Sequence, residues 1–224
     1  MRRSWPFLLY IAVSVLHLAM IAIGADSDIT KALLMPVLLV AVAMTVLWTD
    51  RIQRWTKRRA LAIAFLSVGI IASWAGDVLL GPTFLLGMGC FALAHVAYIL
   101  LFLGPAQRHR LPWWALVYAL WYFILVPVLI PYLGELILPI VIYGIALAGT
   151  AATAMGVNHI VAWGGAAFLA SDTILAFRLF TPLMEGVVPG NVQSIAIMAL
   201  YTLGQGLIAY GIVRPLRGYT RRSA

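Results

Sequence analysis

Charged residues are scarce in this sequence, and their scarcity excludes an ordinary soluble domain. Only 10% of the 224 residues are charged, whereas 64% are hydrophobic, and a soluble domain carries about a quarter charged residues. The apolar residues form long uninterrupted runs, which a bilayer accommodates in such number and water does not. We therefore predict an all-α membrane protein with a single integral membrane domain over residues 1–224.

Sequence motifs for metal, phosphate or covalent chemistry are also missing. The one cysteine, Cys90, lies in an apolar run and can form no internal disulfide. The four histidines form no His-x-x-x-His or His-Glu-x-x-His pair, so we expect neither a metal nor a cofactor. Neither a Gly-x-Ser-x-Gly hydrolase motif nor a Gly-rich phosphate loop occurs.

The apolar runs predict about eight membrane-spanning helices, judged against the roughly 20 residues that one span needs. The first run mimics a signal peptide that ends near Gly24-Ala25, but it is long for one and we keep it as a span. The predicted spans cover residues 6–24, 32–49, 60–80, 84–103, 112–131, 135–155, 159–180 and 192–213.

The basic residues alternate between the predicted loops and so predict an orientation. The net charge is +8, but the basic tracts are short and separated by spans, which favours contact with anionic lipid headgroups over nucleic-acid binding. One side of the membrane has only Lys31 and Arg178 as basic residues, whereas the other basic residues lie on the side that holds both termini. The positive-inside rule therefore predicts cytoplasmic termini in a bacterial inner membrane. The other side carries Arg2, Arg3, Arg51, Arg54, Lys57, Arg58, Arg59, Arg108, Arg110, Arg214, Arg217, Arg221 and Arg222.

Two carboxylates, Asp77 and Asp172, lie inside predicted spans. An acid at membrane depth costs about 2.5 to 3.5 kcal/mol on insertion scales, so each one should face the bundle interior and serve a function. Structural hydrogen bonding between helices is the alternative. The short match between Ala75–Leu80 and Ala170–Leu175, four spans apart, suggests two four-helix halves, although chance explains it equally well.

Further polar residues share helix faces with aromatic ones. His95 and Tyr98 lie on one face of the fourth span, and Tyr201 and Gln205 lie one turn apart in the eighth. They could serve a site, or simply pack and hydrogen bond between helices. Lys31 opens the second span, where it could bind a lipid phosphate or snorkel to the interface.

Taken together, the polar residues resemble the YhhN or lysoplasmalogenase family over nearly the whole chain. One departure from the family pattern is Ala32, where a proline is expected after the lysine. The motifs that carry the resemblance are Ser73-x-x-Gly76-Asp77-x-Leu79-Leu80, Phe91-x-x-x-His95-x-x-Tyr98, Gly165-x-x-x-x-x-Ser171-Asp172, Thr30-Lys31, Met35-Pro36 and Tyr201-x-x-x-Gln205.

The resemblance implies a metal-independent membrane enzyme that hydrolyses the vinyl-ether bond of a lysoplasmalogen-like lysophospholipid. The products would be a fatty aldehyde and glycerophospho-ethanolamine or -choline, although the natural lipid could be another ether lipid or lysolipid. Such chemistry needs one acid and one base, as in glycoside hydrolysis. The implied roles are catalysis for Asp77 and Asp172, proton relay for His95 and Tyr98, water positioning for Gln205, phosphate binding for Lys31 and support of the site for Ser73, Ser171 and Tyr201.

Two other functional classes fit the same residues. A proton-coupled transporter of small molecules or lipids would use the intramembrane aspartates as proton carriers. A membrane-organising protein would use the polar groups as packing devices. Against transport, no helix is clearly broken by Gly or Pro at midspan in matching halves of the sequence.

Overall fold

A computed structural model of the chain describes residues 5–50 and 56–214. Within these ranges the protein contains eight α-helices, with three short 3-10 turns and no strand. The helices are α1 (Pro6–Ala22), α2 (Asp28–Asp50), α3 (Lys57–Leu79), α4 (Phe84–Leu103), α5 (Leu116–Leu133), α6 (Ile137–Ala154), α7 (His159–Phe180) and α8 (Gly190–Val213).

The helix bounds follow the apolar runs of the sequence closely. Those of α4 and α7 agree with the predicted spans at both ends, and local residues explain some of the remaining ends. The side chain of Thr56 accepts a hydrogen bond from the Arg59 amide and so caps α3. Asn158 caps α7 by accepting from the amides of Ile160 and Val161. Both caps satisfy backbone donors that a helix start leaves free.

Most of these helices can cross a bilayer, which confirms the all-α membrane bundle. Six described helical segments are long and apolar enough to do so; one of them, Trp113–Ala154, contains both α5 and α6. Helix α1 is apolar but has only 17 residues. The number of spans therefore stays a prediction.

Close helix pairs form the frame of the bundle. α7 packs along α8, and α3 packs along α4, in corresponding places of the two predicted halves. A side chain at Gly164 or Gly204 would meet backbone of the facing helix at 2.9 Å, so glycine lets α7 and α8 approach closely. The Tyr98 ring likewise lies against Gly69 of α3.

Several loops meet at one end of the bundle, where basic residues collect. Arg58 donates from Nε to the Pro105 carbonyl at 2.7 Å, and the Arg108 amide donates to the Gly156 carbonyl at 2.9 Å. These contacts bring together the start of α3 and the loops that follow α4 and α6. Orientation in the membrane stays a prediction, and part of its basis lies outside the described residues, namely Arg2, Arg3, Arg51, Arg54, Arg217, Arg221 and Arg222.

Two hydrophobic clusters fill the interior. The larger one involves seven of the helices, and a smaller one joins α4, α5 and α6 through Met88, Leu125 and Ile140. Trp121 and Tyr143 pack against both clusters. These two aromatic side chains, from α5 and α6, therefore lie between the clusters.

Candidate active site

A cavity of about 140 Å³ lies among α2 to α8. Its wall is mostly apolar, with leucine, phenylalanine and methionine side chains from α4, α5, α7 and α8. The polar part of the wall is small and contains most of the functional groups that the sequence pointed to. Its members are Lys31, Asp77, Tyr143, Ser171, Asp172 and Tyr201.

Asp77 lies near the end of α3 and is held by one tyrosine. The Tyr201 hydroxyl donates to Asp77 Oδ2 at 2.6 Å, and Asp77 is 8% exposed. The Tyr201 ring packs edge-on against Phe91 and Phe168, at centroid distances of 6.2 and 5.5 Å. These two phenylalanines fix the ring and with it the hydroxyl that faces Asp77.

Asp172, on α7, is held by a tyrosine and lies near a histidine. The Tyr143 hydroxyl donates to Asp172 Oδ2. His95 Nε2 lies 3.3 Å from that hydroxyl and 3.8 Å from Asp172 Oδ2. On the other side of the ring, His95 Nδ1 lies 3.1 Å from Thr150 Oγ1. A continuous chain of polar groups therefore runs from Asp172 through α6 to His95 on α4.

Sequence reasoning missed Tyr143 and Thr150, both on α6. Their spacing of seven residues places them on one face of a helix, so a search for polar residues at helical spacing would have found the pair. Neither belongs to a motif that we recognised. Their contact with His95 also depends on α6 packing against α4, which the sequence does not reveal.

Three of the predicted site residues form a separate chain behind the cavity. Tyr98 donates to Gln205 Oε1 at 2.6 Å, and Gln205 Nε2 donates to Ser73 Oγ at 2.8 Å. All three are fully buried and link α4, α8 and α3. They are absent from the cavity wall, as is His95. We expected Gln205 to position a water, but its side chain is engaged between helices.

Ser171 and Lys31 lie on the cavity wall with different surroundings. The Ser171 hydroxyl donates to the Ile197 carbonyl at 2.9 Å and so ties α7 to α8. Lys31 is half-buried, and its ammonium forms no hydrogen bond or salt bridge within residues 5–50 and 56–214. A cation in that position remains available to an anionic group in the cavity.

The residues of the cavity wall carry two carboxyl groups, two tyrosine hydroxyls and one ammonium group. Two carboxyls that reach one space from different helices can act as proton donor and acceptor to the same molecule. Among the described residues there is no group of three or more His, Cys, Asp or Glu that could hold a metal ion. Independence of metals stays a prediction.

Comparison with known proteins gives one match. The model of the YhhN family matches residues 26–212, a range that contains every polar residue of the cavity wall and the chain behind it. No curated protein and no solved structure matches the sequence.

Proposed function

Because the chain belongs to the YhhN family, as its sequence motifs predicted, we propose that it is a membrane hydrolase of the lysoplasmalogenase type. Its substrate would be a lysoplasmalogen-like lysophospholipid, cleaved at the vinyl-ether bond. The observation that supports this proposal is the placement of Asp77 and Asp172, from α3 and α7, on the wall of one largely apolar cavity. An apolar wall suits an alkyl chain, and the paired carboxyls suit the ether.

In the proposed reaction, one protonated carboxyl gives its proton to the β-carbon of the alkene and leaves an oxocarbenium ion. The second carboxyl, ionised, takes a proton from water as the water oxygen attacks the cation. The resulting hemiacetal then passes its hydroxyl proton to the first carboxylate, while the second carboxyl protonates the departing glycerol oxygen. Aldehyde and alcohol are released and both carboxyls return to their starting states, so neither oxidant nor metal is required.

Neighbouring groups have supporting roles in this proposal. Tyr201 and Tyr143 each donate to one carboxyl and so fix the direction in which its free oxygen points. His95 can hold or return a proton beside Asp172. Lys31 would bind the headgroup phosphate. Tyr98, Gln205 and Ser73 would hold the helices that carry the site, since their side chains bond one another.

The direct test is aldehyde release from lysoplasmalogen by the purified protein in lipid vesicles. We expect turnover that survives a metal chelator, and little turnover by a correctly inserted Asp77→Asn variant. If wild type hydrolyses no lysolipid but moves protons or a solute across the vesicle membrane, the transporter alternative replaces this proposal.

We also propose that the basic end of the bundle faces the cytoplasm of a bacterial cell, with both termini on that side. Under this orientation Lys31 lies toward the outer leaflet. A reporter fused to the C-terminus after Arg222 should indicate a cytoplasmic location, and a periplasmic location would overturn the proposed topology.

A further inference from the structure

A shallow groove runs along the outside of the bundle between α5 and α7. On α5 it is lined by Val117, Leu120, Ile124 and Val128, all of which are exposed. Residues 117 to 128 cover about 16 Å of helix at 1.5 Å per residue. In a membrane protein these side chains face lipid, so the groove is open to the hydrocarbon of the bilayer.

The α7 side of the groove leaves no hydrogen-bond donor free. It is formed by Thr173 and Phe177. The Thr173 hydroxyl donates to the Leu169 carbonyl of its own helix at 2.7 Å, which satisfies its donor. The lining of the groove is therefore almost wholly apolar, which suits a hydrocarbon chain and does not suit a headgroup.

Two side chains line both the groove and the acidic cavity, namely Trp121 and Leu125. The cavity and the lipid-facing groove are therefore neighbours across a wall that these residues share. Contact between α5 and α7 is less extensive than contact between α5 and α6. Helix α5 is therefore held to α6 more firmly than to α7, and its contact with α7 at this wall is limited.

The cavity wall includes residues from both ends of the bundle. Lys31 lies in the first turn of α2, at the end of the bundle opposite the basic loops. Trp121 lies in the second turn of α5, which begins after the basic loop that follows α4. The carboxyls of Asp77 and Asp172 lie on the wall of the same cavity. This arrangement matches a single-chain phospholipid whose headgroup points to the Lys31 end of the bundle and whose alkyl chain points to the Trp121 end.

We propose that the cavity opens sideways to the bilayer between α5 and α7, at Trp121 and Leu125, and that the groove holds the alkyl chain of the lipid. This inference rests on the proposed function for the lipid class. The headgroup would meet Lys31, the ether would lie at the carboxyls, and the chain would stay in hydrocarbon throughout. A lipid bound in this way need not leave the membrane, so its chain is never exposed to water.

The test uses a lysophospholipid with a saturated ether chain that ends in a photoreactive diazirine. This probe contains no vinyl ether and cannot be hydrolysed by the proposed reaction, so it reports chain position alone. Labelled sites are mapped in wild-type protein with and without excess unreactive alkyl lysophospholipid. We expect competed labelling at the groove residues of α5 and α7, and labelling without competition on other lipid-facing helices.

A matched pair of variants sharpens the result. Val128→Trp places a large ring in the groove and should reduce competed labelling by about tenfold, because the ring takes the space that the alkyl chain needs. Leu203→Trp, at an exposed position of α8 outside both the cavity and the groove, should leave labelling unchanged.

The outcomes separate this inference from the hydrolase proposal. Competed labels elsewhere, or no competed label in wild type, overturn the opening between α5 and α7 even if aldehyde release is observed. Competed labels in the groove without aldehyde release from lysoplasmalogen support the opening and refute the hydrolase. Equal loss of labelling in both tryptophan variants also counts against the groove.

Discussion

The carboxyls of Asp77 and Asp172 belong to the wall of one cavity but differ in the side chains that hold them. Asp77 accepts from Tyr201, whose ring is fixed by Phe91 and Phe168. Asp172 accepts from Tyr143, whose hydroxyl also faces His95. One carboxyl is therefore held against aromatic rings, whereas the other belongs to a polar chain that includes a second group able to take up a proton.

This difference shows that two carboxyls inside one bundle can be accommodated in two ways. The fixed Tyr201 hydroxyl restricts the direction in which the Asp77 carboxyl points. Beside Asp172, the His95 imidazole behind the Tyr143 hydroxyl adds a group that can take up a proton. The chain of Tyr98, Gln205 and Ser73 is a third arrangement, in which polar groups only join helices. The following substitutions test whether these arrangements act on catalysis or on packing.

The largest effect is expected from Asp77→Asn and Asp172→Asn. Each should lower turnover by at least about 100-fold, because the amide neither accepts a proton at neutral pH nor donates one as a carboxylic acid does. Binding and insertion should change less, since the shape and a hydrogen-bonding oxygen remain. Aldehyde release and size-exclusion behaviour are measured side by side.

The matched control for this pair is Asp28→Asn, at an exposed position outside the cavity, which should keep wild-type turnover. An inserted Asn variant with nearly full hydrolysis would remove that aspartate from the mechanism. A variant that fails to fold would instead favour a structural role for the carboxyl.

The next largest effect is expected from loss of the tyrosine hydroxyls. Tyr143→Phe and Tyr201→Phe each remove a donor to a carboxyl and should lower turnover by about tenfold. That factor corresponds to the free energy of one hydrogen bond to a charged group. Tyr122→Phe removes a hydroxyl that donates to the Val141 carbonyl away from the cavity and should change little. Comparable rates in all three variants would contradict a role for the hydroxyls.

A smaller effect should come from His95→Gln, and it should depend on which aspartate is present. The substitution should lower turnover about fivefold, since a hydrogen bond is worth about 1 kcal/mol. If His95 acts through Asp172, the loss should vanish in an Asp172→Asn background and persist in an Asp77→Asn background. Turnover of the single and double variants gives this coupling, and equal losses in both backgrounds would refute it.

The smallest effect on turnover is expected from Gln205→Leu. Its chain does not line the cavity, so turnover should stay within about twofold of wild type. The free energy of unfolding should fall by about 1 kcal/mol, because two hydrogen bonds between helices are lost. Thr202→Val, which removes only hydroxyl donation to carbonyls of its own helix, is the matched control in thermal unfolding. A large loss of turnover with unchanged stability would place Gln205 in the chemistry after all.

Much of the fold could be predicted from the sequence because the main determinant is local. The bounds of α4 and α7 follow directly from apolar runs in which a charged residue is costly. The start of α5 was less predictable, because Trp113–Ala115 is apolar yet forms a 3-10 turn before the helix. Hydropathy measures preference for the bilayer and does not distinguish a 3-10 turn from an α-helix.

The site was only partly predictable for a different reason. Asp77 and Asp172 stood out because an acid within a span is rare and expensive. His95, Tyr98, Gln205 and Ser73 were equally visible as polar residues, but whether they face a cavity or a neighbouring helix depends on helix rotation. Rotation is set by packing partners, which leave no trace in spacing along one helix.

The sequence by itself determined that this is an α-helical membrane protein of the YhhN family with two carboxyls inside the bundle. Composition and residue identity suffice for that, since the bilayer acts on each span separately. Only the tertiary structure decided that Tyr143 and Thr150 join His95 and Asp172, and that Trp121 stands between the cavity and the lipid-facing groove. Those contacts join different helices, and they depend on how each helix is rotated against its neighbours, which spacing along one helix does not reveal.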